Sequence, residues 1–351
     1  MSDQKTVQTV RTAVIGYGFA GRSFHSYLIS LAPGLTLQGI ASRDPQTRDR
    51  IIAERGCRAY KTFDEVIADP TIDLVVLATP NHTHAELAVQ ALDAGKHVVS
   101  DKVMCLTISD CDRMMEAAKR NSRFLSVFQN RRWDGDFLTV QKLIADGDLG
   151  NVRWVEMAWQ GFGAWGGWRG QSALGGGRFY DLGAHLVDQA VMLFPQAIET
   201  VYCRMHHDFP NADVESEALI IITFAGGATV VCDLSSLTAI SKPRFSVHGD
   251  QATYEKYGLD PQEAAMKAGD IDAAVEPPAS SGRLRSRAGV EHIVKTLPGR
   301  WRNYYENIAD VLLHGADPLV KLPEVCRAIS VLHAARQSAE TGTTIRFAPE
   351  P

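Results

Sequence analysis

The first third of the chain alternates short β-branched apolar runs with amphipathic stretches. The runs lie at residues 12–15, 35–41, 74–78, 97–100 and 124–128, and the stretches at 21–30, 44–54, 63–68, 84–94 and 108–119. Apolar runs buried on both faces and separated by helices predict βαβ units, hence a parallel sheet covered by helices on both sides. This rhythm ends near Gln129. From Asn151 the period drops to two, with strands expected at 152–159, 198–206, 217–224 and 229–235 and a hairpin turn at Ala225-Gly226-Gly227. An antiparallel sheet follows. Residues 261–289 show little periodicity and are expected to cross the surface loosely, before helices at 303–313 and 322–341. The expected architecture is an α/β domain over 1–129, a doubly wound parallel sheet, followed by an α+β domain over 130–351 built on an open, mostly antiparallel sheet.

Composition agrees with two cores: 351 residues with 45% hydrophobic and 22% charged content exceed the usual size of one domain. A net charge of −5 without a dense Lys/Arg stripe argues against a nucleic-acid partner and points to a small solute. No run of about 18 apolar residues would cross a membrane, and the N-terminal stretch lacks a leader's apolar core, so a cytoplasmic protein is expected. The six cysteines show no CxxC pair or Cys/His ligand spacing, which predicts reduced thiols and no metal. His82 and His84 have no nearby acids or cysteines to complete a metal site, and in His206-His207-Asp208 neighbours on a strand point to opposite faces.

The first chemical signal is Gly16-Tyr17-Gly18-Phe19-Ala20-Gly21, directly after an apolar run and opening a helical stretch. Gly16 permits the tight turn, Gly18 removes a side chain that would block a pyrophosphate, and Gly21 lets helix and strand pack closely, while the helix start favours phosphate charge. Dinucleotide binding is the reading. At the end of the second run, where an NAD-binding chain commonly carries an acid, stand Ser42 and Arg43. A hydroxyl and a guanidinium suit a 2′-phosphate, so NADP is favoured over NAD, with Asp44 one step later as the residue able to reverse that preference. Thr79, Pro80, Asn81 and His84 follow another run, at the sheet edge where ligands bind, and are expected beside the cofactor.

Lys102 closes the run at 97–100. A strand-end lysine is most often a solvated cation, but at the carboxyl edge of such a sheet it can donate to a reacting oxygen. Further on, Gly175-Gly176-Gly177 precedes Asp181 and His185, four residues apart. On a helix both would share a face, so the carboxylate could orient the imidazole as an acid/base pair. The preceding segment is rich in aromatics: Trp159, Phe162, Trp165 and Trp168, followed by Arg169. Phe162, Trp168 and Arg169 are candidates to contact a sugar ring, with loop or interface packing as the alternative. Arg131 and Arg132 are candidate phosphate or interdomain contacts.

Taken together, the glycine turn, Thr79-Pro80-Asn81 with His84, Ala94-Gly95-Lys96-His97-Val98 leading to Lys102, and the glycine run with Asp181 and His185 resemble the glucose-fructose oxidoreductase/inositol dehydrogenase/MocA family. The resemblance covers nearly the whole chain, and residues 129–134 with 180–182 are similar to its NADP-linked scyllo-inositol dehydrogenase-like branch. It implies hydride transfer between a nicotinamide and a hydroxyl or carbonyl of a polyol or sugar, held between the domains. It also implies Lys102, Asp181 and His185 as the catalytic set, Lys102 also touching the cofactor, and homodimers or homotetramers formed through the second sheet. A nicotinamide-dependent glycosidase and a non-enzymatic NADP-binding sensor are the alternatives on the same fold. One departure stands out: the family's Glu-Lys-Pro reads Asp101-Lys102-Val103 here, and the missing proline would leave Lys102 less firmly aimed.

Overall fold

The computed structural model describes residues 9–348; the N-terminal residues 1–8 considered above for a leader lie outside them. The chain forms two compact units, 1–129 with 301–323 and 130–300 with 324–351.

The first unit is a six-stranded parallel sheet in the order β3-β2-β1-β4-β5-β6. Its strands are β1 (Val10–Ile15), β2 (Leu35–Ala41), β3 (Arg58–Tyr60), β4 (Leu74–Leu77), β5 (His97–Ser100) and β6 (Leu125–Val127). This is the doubly wound order whose direction of winding reverses between β1 and β4. All four residues of β4 are buried, as a strand covered on both faces requires. Helices α1 (Ser26–Leu31), α2 (Pro45–Arg55), α3 (Phe63–Ala68), α4 (His84–Asp93) and α5 (Ile108–Arg120) lie close to the expected stretches, and only the short β3 escaped the periodicity.

The second unit carries a nine-stranded sheet. Within it, β7 (Val152–Gln160), β8 (Ile198–His206), β9 (Glu217–Phe224) and β10 (Thr229–Ser235) match the period-two runs. With β11 (Phe245–Gly249), β12 (Ala252–Lys256), β13 (Gly282–Ser286), β14 (Glu291–Val294) and β15 (Ile345–Arg346) they stand in the order β14-β13-β12-β11-β7-β10-β9-β8-β15. All neighbours pair antiparallel except β7 and β10, which run parallel. Ala218, Ile220, Ile222 and Phe224 form the buried face of β9. Helices α6 (Gly135–Ala145) and α7 (Ala184–Leu193) belong to this unit, and α7 packs on β10.

Three expectations need correction. Residues 261–289 are not merely a loose crossing: they hold α8 (Gln262–Lys267) and β13 (Gly282–Ser286), which joins the sheet beside β12 (Ala252–Lys256). Pairing with β12, a long-range contact, overrides the weak local pattern. The stretch 301–323, carrying α9 (Arg302–His314), belongs to the first unit, because Trp301, Tyr304 and Tyr305 bury their rings there against Phe24 and Phe128. Finally, Cys57, Cys105, Cys203 and Cys232 are free thiols, whereas Cys111 and Cys326 are each disulfide-bonded and not the reduced thiols expected.

Candidate active site

In the first unit, β1 runs into the glycine turn at the topological switch. Gly16 has φ +97°, and a Cβ there would stand 2.6 Å from the Ala78 carbonyl oxygen beyond β4. A Cβ on Gly21 would collide with the Gly16 carbonyl. These two glycines are demanded by the protein itself. Gly18 is not, since a Cβ there would meet nothing within 4 Å. The space in front of the turn is therefore kept clear of protein, which is the condition for a pyrophosphate to approach the backbone. Tyr17 is buried and its hydroxyl donates to Glu54 at 2.8 Å, so it ties the turn to α2. Phe19 is exposed and lies edge-on to Phe24, and Ala20 opens the helical turn that continues into α1.

At the end of β2, Ser42 is half-buried and Arg43 exposed, with no side-chain partner for Arg43 among the described residues. Asp44 caps α2 instead, accepting from the Thr47 backbone N–H at 2.9 Å and its hydroxyl at 2.6 Å. Those bonds hold its carboxyl below the usual carboxylate range. The only acid at the ribose position is thus committed to the helix start.

Beyond β4, the Thr79 and Thr83 hydroxyls share a 2.6 Å hydrogen bond and Asn81 is buried in the turn that starts α4. His84, expected beside the cofactor, is fully buried, with Nδ1 2.8 Å from the Val103 carbonyl and Nε2 2.9 Å from the Thr79 carbonyl. Burial pulls its pKa down against the charge of Asp101, and the neutral ring carries a single N–H, which it donates to one of these two carbonyls. Lys102, half-buried, follows β5 through a cis peptide bond to Val103. Its backbone N–H donates to Asp101 Oδ1 at 2.7 Å. Asp101 Oδ2 faces His25 Nε2 at 3.4 Å, and His25 Nδ1 meets the Tyr305 hydroxyl at 2.7 Å. The motifs drew attention to neither His25 nor Tyr305. Burial would raise the Asp101 carboxyl, but His25, Lys102 and His84 together hold it below its ordinary value.

In the second unit, the glycine run folds back on the aromatic loop. The Gly177 N–H donates to the Arg169 carbonyl at 2.8 Å, and a Cβ on Gly176 would stand 2.5 Å from that same oxygen. Gly177 also lies against Glu215, whose Oε1 accepts from the Phe179 N–H at 2.6 Å and whose carboxyl is pushed up by burial. Asp181 lies in a helical turn (Phe179–Gly183) leading into α7, and Arg169 Nε donates to its carboxylate at 3.3 Å. The Arg169 guanidinium also lies 4.7 Å from the centre of the Trp168 ring. Phe162 stands 76% exposed in the loop, free to be covered by a ligand or a partner.

His185, on the first turn of α7, is 5% exposed and stacks on Trp159 of β7, with ring centres 6.0 Å apart and planes inclined by 26°. Two guanidiniums, of Arg131 at 4.8 Å and Arg244 at 5.2 Å, lie over the same indole. One helical turn past His185, Asp188 receives Arg132 in two bonds of 2.9 and 2.7 Å, and Gln189 accepts from Arg244 at 2.7 Å. Arg132 also donates to Glu324 at 2.5 Å, and Arg131 to Glu263 at 2.6 Å. Burial works against the charge of Arg132, but Asp188 and Glu324 more than offset it. Arg132 thus fixes α7 through Asp188, and Arg131 reaches Glu263, all within the second unit. Among the described residues there is no cluster of three His, Cys, Asp or Glu able to hold a metal, and no helix is long and apolar enough to cross a membrane.

The chain matches an oxidoreductase family with an NAD-binding Rossmann fold over residues 10–129, and the GFO/IDH/MocA C-terminal domain over 137–255. It is 34% identical to the uncharacterized oxidoreductase YdgJ of Escherichia coli K12, covering 97% of this chain and 99% of that one. It is 29% identical to the scyllo-inositol 2-dehydrogenase (NADP+) IolW of Bacillus subtilis, covering 98% of each. A solved oxidoreductase structure from Klebsiella pneumoniae superposes with a TM-score of 0.87 at 33% identity, over 98% of this chain and 96% of that one.

Proposed function

The chain belongs to the Gfo/Idh/MocA family of oxidoreductases, and from that premise we propose that it is an NADP-preferring dehydrogenase acting on a ring hydroxyl of an inositol or related sugar. The observation that carries the cofactor preference is the end of β2, where Asp44 is fixed as a helix cap and Arg43 is exposed beside Ser42. A 2′-phosphate would gain a guanidinium and a hydroxyl there, with one oxygen of the Asp44 carboxylate taken up by the Thr47 N–H and hydroxyl. Gly16, Gly18 and Gly21, with the backbone of Tyr17, Phe19 and Ala20, would hold the pyrophosphate, the clear space at Gly18 being the feature that fits it. Thr79, Pro80, Asn81 and Lys102 would flank the nicotinamide side.

The bound nicotinamide supplies the hydride-accepting carbon. This chain's own groups handle the proton and the oxygen: in oxidation His185 Nε2 or Nδ1 takes the hydroxyl proton, and the Lys102 ammonium donates a hydrogen bond to the same oxygen as it becomes a carbonyl. Asp181, paired with Arg169, keeps negative charge at the start of α7, and Phe162 and Trp168 offer flat faces to a sugar ring. The name of the B. subtilis relative supports an inositol as the first substrate to try. Leu219 and Ile221, half-exposed beside Trp154 on the open face of the sheet, support assembly as a homodimer or homotetramer through that face.

The test is steady-state turnover of inositols and aldoses with NADP and with NAD, for the wild type and two variants. Arg43→Ala is expected to cut kcat/KM with NADP about tenfold and leave NAD turnover unchanged. His185→Ala is expected to lower kcat by about 10²–10⁴ without altering NADP binding. Faster wild-type turnover with NAD would overturn the cofactor reading, and a fully active His185→Ala would overturn the mechanism.

A further inference from the structure

Lys102 stands on a strand end whose support comes from a distant part of the sequence. Tyr305, on α9, is fully buried, and its hydroxyl meets His25 Nδ1 at 2.7 Å. His25 is also fully buried, is packed against the Phe128 ring at 4.6 Å, and turns its other nitrogen to Asp101 Oδ2 at 3.4 Å. The second oxygen of Asp101 accepts the backbone N–H of Lys102. On the far side, His84 grips the Val103 carbonyl. We propose that Tyr305, His25 and Asp101 form a buried positioning relay for Lys102, and that the chain returns to the first unit after residue 300 to complete it. The proposal rests on the reading of Lys102 as a catalytic residue.

Polar side chains in an apolar setting are expensive unless they satisfy one another, and here His25 and Tyr305 both lie against the Phe128 ring, with Tyr304 edge-on to Tyr305. The two nitrogens of His25 lie between the other two groups: Nδ1 meets the Tyr305 hydroxyl at 2.7 Å, and Nε2 faces the Asp101 carboxylate at 3.4 Å, beside Lys102. The charged and titratable groups facing Asp101 are His25, Lys102, His84 and Tyr305. Three of these favour its carboxylate form, against burial, which favours the acid. Remove His25 and burial has less opposition, so the Asp101 carboxyl takes its proton at higher pH. Lys102 then loses an anionic neighbour, and the bond to its backbone N–H falls from charge-assisted to neutral.

The experiment uses the full chain with NADPH and a keto-inositol, because in reduction a protonated His185 leaves the acid side of the rate profile clear. His25→Leu is expected to lower kcat by about tenfold to a hundredfold with NADPH affinity unchanged, and to add an acid limb that the wild type lacks. Tyr305→Phe, which removes one oxygen, should show a smaller loss of the same kind, and the double variant should be no worse than His25→Leu alone. Wild-type kcat and an unmoved acid side in folded His25→Leu would overturn the relay; if that variant does not fold, the same result in Tyr305→Phe overturns it. Lys102→Met is measured beside them. Should it keep full activity, the functional reading fails, and the relay is then judged by the carboxyl ¹³C titration of Asp101: a midpoint unchanged between wild type and Tyr305→Phe refutes it, and one raised in the variant upholds it.

Discussion

The two units build their halves of the chemistry by different means. In the first, the cofactor platform is mostly backbone: a glycine at φ +97°, a helix start, and strand ends at the winding reversal between β1 and β4. In the second, His185 is held by side chains from distant parts of the sequence, stacked on Trp159 and carried by a helix clamped through Asp188 and Gln189. A backbone platform suits a ligand whose phosphates and ribose do not change between substrates, since it asks only for exposed N–H groups and free space. A platform of side chains can be retuned by substitution, but each buried charge in it must be matched. Two ion pairs show the extremes: Arg22–Glu54 in the first unit is exposed and Arg132–Asp188 in the second is 5% and 2% exposed, although the first unit also holds the buried His25–Asp101 pair and the second the exposed Lys142–Asp146 pair.

That difference predicts unequal costs. Asp188→Ala strands the buried Arg132 with only part of its compensation and is expected to destabilise the protein by about 3–5 kcal/mol, read as a lower urea midpoint. Arg22→Ala should leave the midpoint where it is, as exposed pairs contribute little. Equal shifts would erase the contrast between the units. Within the first unit the contrast sharpens between two glycines of one turn. Gly16→Ala places a side chain at φ +97° and against the Ala78 carbonyl, and should cost about 1–3 kcal/mol of stability. Gly18→Ala should leave stability untouched and weaken NADP binding about tenfold, because the methyl enters space that only the ligand uses. Loss of stability in both, with affinity unchanged in both, would mean that Gly18 serves the fold alone.

How far each unit could be read from sequence follows from the same distinction. The glycine turn, five of the six strands of the parallel sheet and their helices are set by local periodicity and turn chemistry, and all but β3 are legible between residues 12 and 128. His84 is legible as a strand-end residue, but its two carbonyl neighbours, on Thr79 and Val103, come together only in the folded loop pair. Asp181 and His185 were visible as a spacing, whereas the bond from Arg169 to Asp181 was not, since it depends on how the glycine run reverses the chain. His25 sits only four residues past Gly21 and carries no motif of its own. Its function-bearing contacts, to Asp101 and Tyr305, span sequence separations that periodicity cannot sense. An aromatic-rich start to α9, at Trp301, Tyr304 and Tyr305, was the available hint that this helix belonged to a core.

Trp159 offers the finest test of a site made by side chains. Its indole presents a face to His185 and lies under the guanidiniums of Arg131 and Arg244, so one ring both aligns the imidazole and screens two buried cations. Trp159→Phe keeps a flat ring in β7 with less area, and should cost about twofold to threefold in kcat; Trp159→Ala removes the surface entirely and should cost about tenfold, the equivalent of roughly 1.4 kcal/mol, within the range of a lost aromatic contact. NADP affinity should be unaffected in both, because Trp159 lies in the unit that does not carry the glycine turn. If Trp159→Ala weakens NADP binding as much as it slows turnover, the indole serves the cofactor rather than His185, and the division between a backbone platform and a side-chain platform fails at this residue.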